Sequence, residues 1–216
     1  MATAVATLRE EIQSRLGVVL RAKPAEAETL ATVAGAIPRG AMTEIVGPAS
    51  SGRTAALYSV LAAATAGQEF CALLDAQDRF DPLSAAAAGV RLSQLLWVRC
   101  NGNVEHALKA ADMLANGGGF GVIAIDLADA PESAVHRVPL AAWFRLRRGV
   151  ENTRTALVVL ERSAHARSCS AVKIELKRAR AVWRGLMPGG LLERFECGGH
   201  WIHNHQPRAV EFRVIR

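Results

Sequence analysis

Aromatic side chains are scarce: they make up 5% of the 216 residues, with a single tyrosine. A surface of stacked rings for gripping single strands is therefore excluded as the main design. No apolar run reaches the roughly 18 residues of a transmembrane helix. The start, Met1-Ala-Thr-Ala-Val-Ala, lacks the basic stretch and apolar core of a secretory signal. The expectation is a cytoplasmic protein with no membrane partner. Cysteines are few, at 71, 100, 169 and 197, and none form a C-x-x-C pair. They read as reduced thiols, most of them buried. What the chain has in quantity is apolar: 50% hydrophobic against 21% charged residues. That balance supplies a core and excludes a disordered tail. The length suits one ordinary domain.

The net charge of +6 is unevenly placed. Residues 1–130 carry ten Lys/Arg against thirteen Asp/Glu, whereas residues 131–216 carry sixteen against seven. A basic end of this kind suits nucleic acid, an acidic partner or plain solvent.

Val5, Leu8, Ile12, Leu16 and Val19 recur at steps of three and four, which predicts an amphipathic helix. Thr7 with Glu10 fits a capping box at its start. Residues 21–40 read as a connector broken by Pro24, Gly35, Pro38 and Gly40. From Met42 short apolar runs alternate with helical stretches. Strands are expected at Met42–Val46, Phe70–Leu74, Gln94–Val98, Gly121–Ile125 and Thr155–Leu160. Helices are expected at Thr54–Ala66, after Pro82, at Val104–Ala115 and at Leu140–Arg148. This alternation with unbroken apolar strands predicts an α/β fold with a mostly parallel sheet covered on both faces. After Ser170 the texture becomes strand and turn: Ala171–Leu176, Leu191–Cys197, Trp201–His203 and Val210–Ile215, with turns at Pro188-Gly-Gly and Gly198-Gly. An antiparallel C-terminal extension follows. The organisation read from this is an N-terminal helix and connector over 1–36 and a core over 37–216.

Gly47-Pro-Ala-Ser50-Ser51-Gly52-Arg53-Thr54 has the spacing G-x-x-x-x-G-[basic]-T between an expected strand and an expected helix. That is the context of a phosphate-binding loop, whose amides and helix N-terminus hold anions. Gly47, Ser50, Ser51, Gly52, Arg53 and Thr54 are thus candidates for binding ATP. The Thr54 hydroxyl is a candidate magnesium ligand. Arg53 stands where such loops carry lysine, and a planar fork is not a point charge. Gly121-Val-Ile-Ala-Ile-Asp126 is an apolar strand ending in a carboxylate, which makes Asp126 the second candidate for magnesium. Nucleotide binding is left open, and hydrolysis is placed in doubt.

Ile37-Pro-Arg-Gly40, Thr43-Glu-Ile-Val-Gly-Pro48 and Ser50-Ser-Gly52 resemble the start of the RecA recombinase core. Leu74-Asp-Ala-Gln77 with Asp81-Pro82 resembles its next strand and helix start. Ala111-Asp-Met-Leu114 and Ala171-Val-Lys-Ile-Glu-Leu176 resemble later segments. The resemblance runs from about residue 37 to 176 and implies a RecA-like P-loop fold. RecA's separate C-terminal domain finds no counterpart.

Departures from that pattern carry the functional reading. The family's catalytic glutamate aligns with Gln77, and an amide cannot act as a base. The strand that ends in a γ-phosphate-sensing glutamine ends here Leu160-Glu161-Arg162. The two DNA-holding loops shrink to about 130–137 and 163–170. Lysine, base, sensor and loops are altered together, which argues against a working recombinase cycle and for no enzyme activity beyond a weak ATPase.

A shortened core with these losses resembles ImuA, the RecA-related accessory of bacterial translesion synthesis. The resemblance implies a cytosolic adaptor in the SOS response. Its implied partners are an ImuB-type Y-family-like protein, an error-prone polymerase and RecA. Two other readings stand beside it. One is an active RecA-type ATPase in which Glu161 replaces the missing base. The other is a division inhibitor like SulA. Arg145, Arg147 and Arg148 follow Trp143 and Phe144 on one expected helix, and Arg162 and Arg167 follow later. They are candidates for a DNA or partner surface, any DNA contact being sequence-independent. Cys197, His200, His203 and His205 match no standard zinc spacing. Along a strand His203 and His205 would point one way and His200 the other.

Overall fold

A computed structural model describes residues 28–185 and 190–215. The helix expected over residues 5–19 and the turn at Pro188-Gly189 lie outside them. Eleven strands are described: β1 (Thr29–Thr32), β2 (Gly35–Pro38), β3 (Met42–Val46), β4 (Cys71–Asp75), β5 (Leu95–Arg99), β6 (Val122–Asp126), β7 (Ala156–Glu161), β8 (Ser170–Leu176), β9 (Arg180–Arg184), β10 (Leu191–His203) and β11 (Gln206–Ile215). Five helices accompany them: α1 (Arg53–Ala66), α2 (Pro82–Ala87), α3 (Val104–Gly117), α4 (Glu132–His136) and α5 (Leu140–Val150).

The main sheet has the order β11-β10-β8-β3-β7-β6-β4-β5, with β9 beside β10. β8, β3, β7, β6, β4 and β5 run parallel. The C-terminal strands join antiparallel through β10. This is the α/β architecture expected of a RecA-like core with an antiparallel end. β3, β4 and β7 are buried along their whole length because both faces are covered. On one face Leu57, Val60 and Leu61 of α1 pack on Ile45, Leu73, Ala124 and Val158. On the other, Leu108 of α3 with Trp143 and Leu146 of α5 packs on Met42, Ile123, Leu157 and Val159. The strand ends at Val46, Asp75, Asp126 and Glu161 therefore share the carboxyl edge of the sheet, where ligand sites of such folds form.

Three features differ from the sequence reading. Within the stretch read as a connector, β1 and β2 form a hairpin. Leu30 and Ile37 seat it against the α1-side core. Gly198-Gly199 is not a turn but the middle of β10. A Cβ at Gly199 would collide with the Glu175 carbonyl, so glycine serves close strand approach there. The reversal falls at Asn204 and His205, both left-handed with φ 49° and 61°. His203 and His205 are consequently not two positions of one strand. β9 was also missed, because Arg-Ala-Val-Trp-Arg shows no clear alternation.

Candidate nucleotide site

β3 delivers the chain into the glycine loop and α1 takes it out. Two glycines are required there by crowding. A Cβ at Gly47 would lie 2.5 Å from the Leu176 carbonyl oxygen. A Cβ at Gly52 would lie 2.5 Å from Cys197 Sγ, and Gly52 is left-handed at φ 91°. Ser50 is left-handed too, at φ 59°. Gly52 is the N-cap of α1 and supplies no side-chain cap, and no acidic residue sits in the first turn. The first amides of a fourteen-residue helix are thus left for an anion. The C-terminal strands brace the loop from behind. Ala179 N–H donates to the Ser50 carbonyl at 2.9 Å, while Cys197 and Phe212 back Gly52.

A pocket of about 340 Å³ opens in front of the loop. Ser50, Arg53, Thr54, Tyr58, Arg79, Phe80, Asp126 and Asp129 contribute to its lining. Of the candidate residues, Ser50, Arg53, Thr54 and Asp126 line this pocket together, and Gly47, Ser51 and Gly52 are not part of the lining. Thr54 is exposed and lines the pocket. Ser51 is buried, and its Oγ has no hydrogen-bond partner among the described residues. Burial, countered by the Ala128 N–H, pushes the Asp126 carboxyl up to about 6, with Asp75 and Asp129 adding repulsion. At neutral pH it is still mostly ionised. Thr54 and Asp126 suit magnesium, and the loop amides suit phosphate.

Arg53 does not reach out as a lysine would. It is 6% exposed, and Nη1 donates to the carbonyls of Glu161 (2.9 Å) and Ala128 (3.4 Å). Its guanidinium ties the ends of β6 and β7 together beneath the pocket. Burial lowers its pKa, and Asp129 and Asp126 counter that.

Gln77 is not part of the pocket lining. Its Nε2 is buried without a hydrogen-bond partner among the described residues. The loop after β4 is organised by Asp75 instead. Asp75 accepts from the amides of Gln77 (3.3 Å), Arg79 (3.1 Å) and Phe80 (2.8 Å), and from Trp97 Nε1 (3.2 Å). Glu161 is also outside the lining, and its side chain lies on the α5 side with Glu44. Its Oε2 is 2.6 Å from His165 Nδ1, and Oε1 has no partner among the described residues. Burial first, then the Glu44 charge, pushes Glu161 up to about 9. Glu44 itself accepts from the amides of His165 and Ala166. As a replacement base, Glu161 faces the wrong side of the sheet.

The candidate basic residues do not form one surface. Arg145 pairs with Asp112 of α3 at 3.1 Å. Arg147 and Arg167 line a separate cleft of about 640 Å³ with Lys173, His203 and His205, at the opposite end of β3 from the glycine loop. Glu44 and Glu151 line it as well, which dilutes its positive charge. Arg148 and Arg162 are exposed, and Arg162 sits close enough to Arg53 to repel it. The shortened loop at 130–137 holds α4. The segment 163–170 crosses the sheet with Ala166 and Cys169 in the core.

Sequence reasoning missed Arg79, Tyr58 and the bracing residues Ala179, Cys197 and Phe212. Arg79 sits between the resembling Asp-Ala-Gln and Asp-Pro segments and carries no motif of its own. The bracing contacts join positions more than 120 residues apart.

Residues 4–136 match the family model of the RecA N-terminal domain. Among curated proteins, Protein RecA of Deinococcus radiodurans is 36% identical over 114 residues, which is 53% of this chain and 31% of that protein. Protein RecA of Chloroflexus aurantiacus is 37% identical over 116 residues, 54% of this chain and 33% of that protein. Protein RecA of Laribacter hongkongensis is 41% identical over 92 residues, 43% of this chain and 26% of that protein. The matching stretch spans a third or less of each relative's length.

Proposed function

The chain belongs to the RecA N-terminal domain family, and on that premise we propose that it is an adaptor rather than a recombinase. In this reading it is a RecA-like protein of the ImuA kind. It scaffolds an ImuB-type protein and an error-prone polymerase during translesion synthesis in the cytoplasm. The observation that carries the reading is the position of Arg53. The residue at the lysine position is spent on the carbonyls of Glu161 and Ala128, while Gln77 stands outside the pocket.

A nucleotide site that binds without efficient turnover follows. The loop amides would hold the phosphates, and Thr54 with Asp126 would hold magnesium. Bound there, magnesium would supply charge neutralisation for the phosphates. None of the pocket-lining groups is a carboxylate on the β4 loop, so no base stands where the family has one. A positioned base is worth about 10²–10⁴ in rate. The surplus of cations after residue 131 supports a residual contact with the phosphate backbone of DNA. Such a contact is independent of sequence and weakened by salt.

The adaptor reading is tested by pull-down of the purified full chain with an ImuB-type protein and with an error-prone polymerase. Capture of either, retained in Thr54→Ala, supports it. Capture of neither rejects it. SulA-like activity would instead show as binding to the tubulin-like division protein without an effect on mutagenesis.

A further inference from the structure

The loop after β4 places a cation at the nucleotide pocket that no motif announces. Arg79 lines the pocket together with Ser50, Thr54 and Asp126. Its side chain is exposed and, among the described residues, makes no hydrogen bond or ion pair. Its backbone is pinned, however. The Asp75 carboxylate accepts from the Arg79 amide at 3.1 Å and from both Gln77 and Phe80. Asp78 before it is held left-handed at φ 55°. A long free guanidinium is thus mounted on a fixed base at the mouth of a phosphate loop.

Arg53 lines the same pocket but is largely engaged beneath it. Its Nη1 is committed to two carbonyls, and only 6% of the residue is exposed. Freeing it would leave those carbonyls at the strand ends without their donor, at a cost typical of a buried unsatisfied group. The work of one lysine is divided in two. Arg53 closes the sheet edge under the pocket, and Arg79 remains available above it.

We propose that Arg79 engages the terminal phosphates of a bound nucleoside triphosphate in place of the P-loop lysine. This rests on the reading that the pocket still takes a nucleotide. A guanidinium offers two parallel N–H bonds to phosphate oxygens and keeps its charge at any working pH. It cannot accept a proton from water, so it adds affinity and no base. The site should therefore favour a triphosphate over a monophosphate.

The test is calorimetric titration of Mg-ATP and Mg-AMP into the full chain and into Arg79→Ala, Arg79→Lys and Arg148→Ala. The unaltered protein is expected to bind ATP more tightly than AMP. Arg79→Ala is expected to weaken ATP about tenfold or more, by loss of a charge-assisted bond, with AMP little changed. Arg79→Lys should recover part of the loss, and Arg148→Ala should match the unaltered chain. The melting temperature of Arg79→Ala should stay put, since the side chain is exposed. ATP binding by Arg79→Ala equal to that of the unaltered chain overturns the assignment and leaves the nucleotide reading standing. An equal loss in Arg148→Ala also overturns it, by reducing the effect to general charge. If the unaltered chain binds neither ATP nor inorganic triphosphate, the nucleotide reading fails and the assignment falls with it.

Discussion

Arg53 Nη1 donates to the backbone carbonyl of Glu161 at 2.9 Å. The residue at the loop's lysine position thereby reaches past the phosphate pocket to the end of β7. Substitution at this position should act on stability before it acts on chemistry. Lysine is shorter than arginine and would not carry its ammonium to the place where Arg53 Nη1 meets the carbonyls of Glu161 and Ala128. Arg53→Lys should lower stability by about 1–2 kcal/mol, as expected for a weakened buried charge-assisted bond. Denaturant titration reads this as a lower midpoint at unchanged slope. The double change Arg53→Lys with Gln77→Glu should still not give RecA-like turnover, because position 77 lies outside the pocket lining. DNA-stimulated hydrolysis in the double variant would contradict that.

Gly52 is confined both by its φ of 91° and by Cys197 Sγ behind it. Gly52→Ala should cost about 1–3 kcal/mol, combining left-handed strain with the steric conflict. Only the second part depends on the sulfur. In a Cys197→Ala background the same substitution should cost measurably less, giving a coupling term by double-mutant cycle. Strict additivity would mean that the hairpin does not press on the loop.

Glu161 gives a stability signature in pH. Its folded-state carboxyl is raised to about 9 by burial and by Glu44, while the unfolded chain loses that proton near the ordinary carboxylate value of about 4.3. Between those limits the folded state binds more protons than the unfolded one. Stability contributed at this site therefore falls as pH rises through the window. Glu161→Gln removes the ionisable group and keeps the shape. Near pH 4 the variant and the unaltered chain should be about equally stable. By pH 8 the variant should be more stable by roughly 1–3 kcal/mol, as for removal of a poorly compensated buried charge. Chemical denaturation at the two pH values measures it. A variant that is less stable at pH 8 would show that the carboxylate is well satisfied.

Much of this fold was legible because β3, β4, β6 and β7 are short apolar runs between helical stretches, and burial on both faces leaves no other pattern. The glycine loop was legible because its spacing is a local backbone requirement. The C-terminal hairpin was misjudged at Gly198-Gly199. Glycine there answers to the Glu175 backbone opposite, which a linear pattern does not reveal. The direction of Arg53 and the clearance of Gln77 from the pocket were equally hidden. Both depend on where strand ends meet, not on which residue occupies the position. Arg145 and Arg147 share α5 but are two positions apart, which turns them to different sides of the helix, and the buried strand β7 separates both from Arg162.

The central claim, that this RecA-like site holds nucleotide without turning it over, is tested most directly by steady-state phosphate release. The unaltered full chain would be measured at saturating Mg-ATP, with and without single-stranded DNA. The account predicts release close to the protein-free background in both cases, since no carboxylate of the β4 loop lines the pocket, where Asp126 and Asp129 are placed for magnesium and not for the attacking water. DNA-stimulated hydrolysis at a rate comparable to that of RecA in the same assay would contradict it.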